Sequence, residues 1–324
     1  MDYTISKRKR IYDKFIKGLI TNKRLTLRKM NLLGQGVQGI VYKYCDKNIC
    51  TAIKKLYIEK QPAKYLSKPY TIQALKYENF IELAAMKLTN QIVLQKICPN
   101  FILNYHSNYK SRDGVCNDDY PYSSKYYNEY LDNSETYTDW VQREHTISEW
   151  YNAYFQITAA IYCMQYHFNM IHLDLHSDNV LVRTVKPGGF WKYTINNINY
   201  YVPNLGFIFY INDFGHAWIP QNFQSWVIRR KYKSKRIHKN FDIQRLFQST
   251  LEFSLSPMSF KIRIKDMIKQ LKGDTNFEHI IHEVWNNYTK KKPASKQIEA
   301  YNLNKRINVE NIPTELRHLV LNQK

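Results

Sequence analysis

The sequence predicts an α+β protein of two lobes, a small β-rich lobe followed by a larger, mainly helical one. Three observations predict it. Between residues 31 and 60, β-branched runs around glycines read as paired strands. Apolar residues recur at helical spacing over 76–94, over 147–168 and through much of the chain from 240 onward. The length of 324 residues suffices for two lobes around a shared cleft, and no internal repeat or low-complexity linker divides the chain further. The expected division is a basic N-terminal extension over 1–30, an N-lobe over 31–130 and a C-lobe over 131–324.

Residues 1–30 read as a basic, partly helical lead-in. Within it "KRKR" (7–10) is better taken as a solvated charged face than as a nuclear-import or nucleic-acid patch. "NLLGQGVQGIVYKY" then predicts two strands joined by a glycine-rich loop, and "ICTAIKKLYI" a third strand after the polar turn "CDKN". "KYENFIELAAMKLTNQIVL" (76–94) is the first clear helix. Residues 105–135 are polar and Tyr-rich, with "SRDG" and "NDDYPYSS" as turn signals, and read as a long irregular connection into "YYNEYLDNSE". A long helix over 147–168 runs straight into "IHLDLHSDNVLV". A hairpin with a polar tip follows over 186–206, then a buried strand "FIFYI", the tetrapeptide "NDFG", a mainly helical stretch from 240 and a polar tail.

Composition bounds the partners. Net charge is +21, from 48 Lys+Arg against 27 Asp+Glu, a field that attracts nucleic acid, anionic lipid or acidic protein without choosing among them. Abundant Tyr, Lys, Asn and Ile fit an AT-rich coding bias. Five cysteines (Cys45, Cys50, Cys98, Cys116 and Cys163) include no CxxC pair, which argues against a disulfide framework and a zinc site and for a reducing compartment. The N-terminus is charged from its start, and no run approaches 18 apolar residues. A soluble, intracellular protein without a membrane span is expected; oligomeric state is not legible.

Four short motifs stand in a fixed order. "GQGVQGIV" places Gly34, Gly36 and Gly39 between strands, where a backbone without Cβ atoms can approach phosphates. The β-type residues that follow (Ile40, Val41, Tyr42) argue against the strand-to-helix turn of a dinucleotide fold. Fifteen residues after Gly39, "TAIKK" offers Lys54 on a strand, with Lys55 on the opposite face. A buried Lys needs a carboxylate, and Glu78 and Glu82 share one face of the next helix; Glu82, inside the apolar "FIELAAM", is favoured. "HLDLHSDN" sets Asp174 five residues before Asn179, and Asp213 of "NDFG" follows thirty-four residues later.

Together these motifs resemble the protein-kinase-like superfamily over roughly residues 31–250. The resemblance implies a bilobal kinase-like fold using ATP and Mg²⁺, and transferring the γ-phosphate to protein hydroxyls. It assigns ATP binding to Gly34, Gln35, Gly36, Val37, Gln38, Gly39, Val41, Ala52, Lys54 and Glu82, and to Asn128, Glu129 and Tyr130 of the interlobe connector. Asp174 takes the role of catalytic base, beside Lys54 and His176, and Asn179 and Asp213 hold the metal. His172 and Asp242 are structural, the latter receiving hydrogen bonds from the catalytic-loop backbone.

The chain also departs from that pattern. Leu173 stands where the family's Arg gathers a phosphorylated activation loop. His176 stands where Ser/Thr kinases place Lys, giving a "DLH" loop similar to haspin-like kinases and to aminoglycoside and choline phosphotransferases. No A-P-E segment is found, and only 29 residues separate Asp213 from Asp242. A hairpin insert precedes the metal Asp. That insert, with "KICPNFILNYHSNY", resembles serine/threonine protein kinases encoded by large nucleocytoplasmic DNA viruses, which implies host cytoplasm or the virion. A small-molecule phosphotransferase and a pseudokinase scaffold are the competing readings. "RRKYKSKR" (229–236) suggests a preference for acidic or already phosphorylated peptides.

Overall fold

In the computed structural model, residues 4–21, 30–36, 39–46, 49–71, 73–111, 122–219, 238–270, 284–286, 288 and 291–321 are described. The glycine-flanked runs form an antiparallel meander of Met30–Gly36 (β1), Gly39–Asp46 (β2) and Ile49–Ile58 (β3). Two further strands, Asn104–Ser111 (β4) and Tyr122–Glu129 (β5), complete a five-stranded sheet in the order β1-β2-β3-β5-β4. The irregular connection expected over 105–135 is therefore corrected to a pair of strands. Ser123 to Asn128 are buried although mostly polar, because backbone pairing to β3 and β4 satisfies their amides. Of the turn signals, 112–121 lie outside the described residues, while Ser111 ends β4 and Tyr122 to Ser124 begin β5.

Lys60–Ala63 (α2) is a single turn, and Glu78–Leu94 (α3) is buried on most of its circumference between that sheet and the second lobe. Ser134–Thr136 (β6) and Tyr137–Val141 (α4) lead to the main helix, Ile147–Phe168 (α5). α5 begins with a reciprocal capping box between Thr146 and Glu149. It ends at Asn169, whose φ of 46° turns the chain left-handedly toward Asp174. Val180–Thr184 (β7) pairs with β6 and with Phe207–Ile211 (β10).

Between them Phe190–Ile195 (β8) and Ile198–Pro203 (β9) form the expected hairpin, turned at Asn196 and Asn197, both with positive φ. Phe241–Phe253 (α6) and Met258–Gln270 (α7) follow. The polar tail is corrected in turn. Gln297–Asn302 (β11) runs parallel to β8, and His318–Leu321 (α8) closes the described chain. Gly189 has φ +76° and lies under β11, where a Cβ would meet the Lys296 carbonyl oxygen at 2.6 Å.

Two buried polar groups join these parts. Asn100, fully buried, donates to Gln156 Oε1 and to the Phe209 carbonyl oxygen, and accepts from Tyr193, so the "CPNF" segment and the hairpin share one network. Arg8 of Ile5–Thr21 (α1) is 1% exposed. It donates to both Glu129 carboxylate oxygens and to the carbonyls of Pro99 and Phe101. Its guanidinium also stacks over the Tyr210 ring. The solvated face expected for "KRKR" thus holds for Lys9, paired with Asp13 at the surface, and fails for Arg8. The cysteine expectation needs correction too: Cys45 and Cys50 face each other across the β2–β3 hairpin, Cα atoms 4.0 Å apart, and form a disulfide. Strand register, rather than a sequence motif, brings them together. Cys98 and Cys163 are free and buried, and Cys116 lies outside the described residues.

Candidate active site

β3 alternates its side chains, so Lys54 enters the cleft and Lys55 leaves it. Lys54 Nζ is 2.6 Å from Glu82 Oε1 on α3 and 3.4 Å from Asp213 Oδ1 beyond β10. One ammonium thereby links the two lobes. Burial disfavours its charge, yet Glu82 and Asp213 outweigh burial and hold its pKa above the ordinary value. Burial pushes the Glu82 carboxyl up to about 7 against the pull of Lys54. Lys54 carries the charge, because two carboxylates within 3.4 Å act on it at once. Asp213, with φ 60°, sits below the usual carboxylate range: burial raises it, and Lys54, His172 and the Gly215 N–H more than compensate.

The segment after α5 is fastened from below. Asp242, at the start of α6, accepts from the backbone N–H groups of His172 (2.8 Å) and Leu173 (2.9 Å). Leu173 has φ 63°, a costly conformation that these bonds hold in place. Its side chain packs with Ile171, Trp218 and Phe241, an apolar cluster where the kinase pattern has an Arg. His172 Nε2 donates to the Asn212 carbonyl at 2.9 Å, and burial lowers its pKa against the raising pull of that bond and of Asp213 and Asp174. Asn179 donates from Nδ2 to the Asp174 carbonyl at 2.8 Å, leaving its amide oxygen as the group suited to a cation. An ionised Asp213 and that oxygen form a hard-oxygen donor pair, which fits Mg²⁺. His176 Nε2 lies 3.7 Å from Asp174 Oδ2.

The structure brings Lys54, Glu82, Asp174, His176, Asn179 and Asp213 to one cleft, over the supports His172 and Asp242. Gly34 and Gln35 lie at the end of β1, and Gly36 pairs with Gly39 across the loop. Val37 and Gln38 lie outside the described residues, as does the basic segment 229–236. Gly39 has a local reason of its own: a Cβ there would meet the Lys55 carbonyl oxygen at 2.1 Å. Val41 pairs with Lys54 and Ala52 with Asn128. In the connector, the Asn128 carbonyl accepts from Thr51 and the Glu129 N–H donates to Leu103, while the Glu129 side chain turns away to Arg8. Tyr130 lies under the Lys43 ammonium.

Sequence reading missed His216, directly after Gly215. Its Nδ1 is 3.3 Å from Asp174 Oδ2 and its Nε2 is 3.7 Å from Glu78 Oε1. The signal was present, an imidazole adjoining "NDFG", but its partners are remote in sequence.

No family model matches the chain. Over 66 residues, 20% of the chain, it is 36% identical to "Probable serine/threonine-protein kinase 380R" of Invertebrate iridescent virus 6. Over 60 residues it is 42% identical to "Uncharacterized protein 011L" of Invertebrate iridescent virus 3. These matches span 12% and 8% of the relatives' own lengths. A solved structure, "WaaP in complex with acyl carrier protein", superposes with a TM-score of 0.41 at 11% identity, over 86% of this chain and 96% of that one. The chain has an α+β fold built around a five-stranded sheet and a mainly helical second part, and in the matched segment it resembles a serine/threonine protein kinase of a large DNA virus.

Proposed function

We propose that the chain is an ATP- and Mg²⁺-dependent serine/threonine protein kinase of viral origin. The observation that carries this reading is the Lys54–Glu82–Asp213 linkage across the lobes, with Asp174 in the same cleft. Lys54, kept charged, would pair with nucleotide phosphates beneath the glycine loop. Asn179 and Asp213 would hold Mg²⁺, which supplies charge neutralisation on the phosphates when bound. Asp174 would orient the acceptor hydroxyl and take its proton. Leu173, packed in an apolar cluster, supports a site that does not depend on a phosphorylated activation loop.

The second reading, a small-molecule phosphotransferase, is favoured by His176 in the "DLH" loop and by the short interval between Asp213 and Asp242. Incubation with γ-labelled ATP separates the two. Label on a casein-like acidic protein supports the protein kinase, whereas label only on a metabolite such as choline or an aminoglycoside replaces it with the second reading. The basic segment 229–236 supports a preference for acidic or phosphorylated peptides, and a peptide array favouring basic flanks would remove that part. Site of action would be the host cytoplasm or the virion. No helix among the described residues is long and apolar enough to cross a membrane.

A further inference from the structure

α3 presents two carboxylates on one face, a turn apart. Glu82 takes Lys54, and Glu78 lies opposite His216 instead. The other ring nitrogen of His216 is shielded from solvent and lies 3.3 Å from Asp174 Oδ2. Glu78, His216 and Asp174 are partly exposed, at 25%, 18% and 22% of their side chains, so they line the cleft. Burial raises the Glu78 carboxyl and His216 opposes that rise.

The ring is placed by backbone. On one side Ala217 N–H closes a turn onto the Phe214 carbonyl. On the other, Ile171 and Trp218 exchange two hydrogen bonds of 2.9 and 2.7 Å, forming an antiparallel bridge. That bridge sets His216 against Asp174, each a few residues beyond it. Within the catalytic segment itself, Asn179 engages the Asp174 backbone oxygen, and His176 stands farther from the carboxylate, at 3.7 Å.

We propose that His216 is a positioning residue, bridging Glu78 of α3 and the Asp174 carboxylate, and fixing that carboxylate for its encounter with the acceptor hydroxyl. This inference rests on the reading of Asp174 as the base. It adds a second way for α3 to act on the site: one carboxylate holds the phosphate-binding Lys54, the other holds the base through an imidazole. A small displacement of the helix would then disturb both, and misplacing a reacting group by about 1 Å can cost on the order of 10²-fold in rate.

Side-chain chemistry gives a discriminating set of variants. An Asn amide nitrogen takes the place of imidazole Nδ1, and a Gln amide nitrogen that of Nε2. With Mg·ATP and dephosphorylated casein, H216L should lower kcat about ten- to a hundredfold, with KM for ATP unchanged within about twofold, since Lys54–Glu82 is untouched. H216N, which still reaches Asp174, should recover most of that loss, and H216Q should not. E78Q should be milder, and H216L/E78Q no worse than H216L alone, as expected of two groups in one chain.

Independently of turnover, the His216 imidazole ¹⁵N resonances should shift in D174N and in E78Q. Equal losses in H216L and H216N, or turnover within about twofold of native in H216L while D174A is inactive, would overturn the bridge. So would unmoved His216 resonances in both acid variants. Unchanged turnover in D174A would instead overturn the assignment of the base, an outcome that no His216 result can imitate.

Discussion

Lys54 shows how a single residue gathers the site. Its ammonium is shared by Glu82 from the N-lobe helix and Asp213 from the C-lobe. Replacing it with Met should lower kcat/KM by roughly 10²–10³-fold, the cost of losing one preorganised charged donor, which steady-state kinetics would read. Gly39 needs its missing Cβ for a reason unconnected with phosphate, the Lys55 carbonyl above it, whereas nothing lies within 4 Å of a Cβ built on Gly34. Gly39→Ala should therefore lower the thermal midpoint, and Gly34→Ala should leave it within about a degree, because only the first forces the β2–β3 pairing to shift. At this scale the sequence was informative wherever chemistry is local. The Asp174-to-Asn179 spacing and Asp213 could be read directly. His216 could not, because Asp174 and Glu78 reach it only through tertiary structure.

At the scale of elements, α6 supports the loop bearing Asp174 through Asp242. Burial raises that carboxyl to about 7, opposed by the N–H groups of His172 and Leu173. The folded value lies above the unfolded one of about 3.9, so the folded chain holds an extra proton between them. Its contribution to stability is full below the unfolded value and is lost as pH rises through about 7. Relative to D242N, the native chain should lose about 2–3 kcal/mol between pH 5 and pH 8, read from urea midpoints. A flat difference between the two chains would refute it. The meander β1–β3, α3, α5 and the β8–β9 hairpin were legible because their apolar periods or turn residues are strong. β4, β5 and β11 were not: their buried faces carry Asn, Ser, Tyr and Glu, so no apolar alternation marks them, and the backbone pairing that forms them comes only with the fold.

For the whole molecule, α1 belongs to the body of the protein. Arg8 joins the connector at Glu129 to the Pro99 and Phe101 carbonyls, and Phe101 packs on Phe214, the residue after Asp213. Arg8→Met strands a buried carboxylate and should destabilise the chain by about 3–5 kcal/mol, while the double change R8M/E129M should recover much of that loss. Chemical denaturation of the three chains would decide it. Nothing in "KRKR" distinguishes Arg8 from its neighbours, which is why its burial was not legible. Arg8 thus ties α1 to the connector and to the Pro99–Phe101 segment, while Lys54 links Glu82 to Asp213 across the cleft. The most direct test is transfer of label from γ-labelled Mg·ATP to a mixed protein substrate by the native chain and by D174A. The account predicts transfer by the native chain, reduced roughly 10²–10⁴-fold in D174A with folding intact; equal transfer by both chains would contradict it.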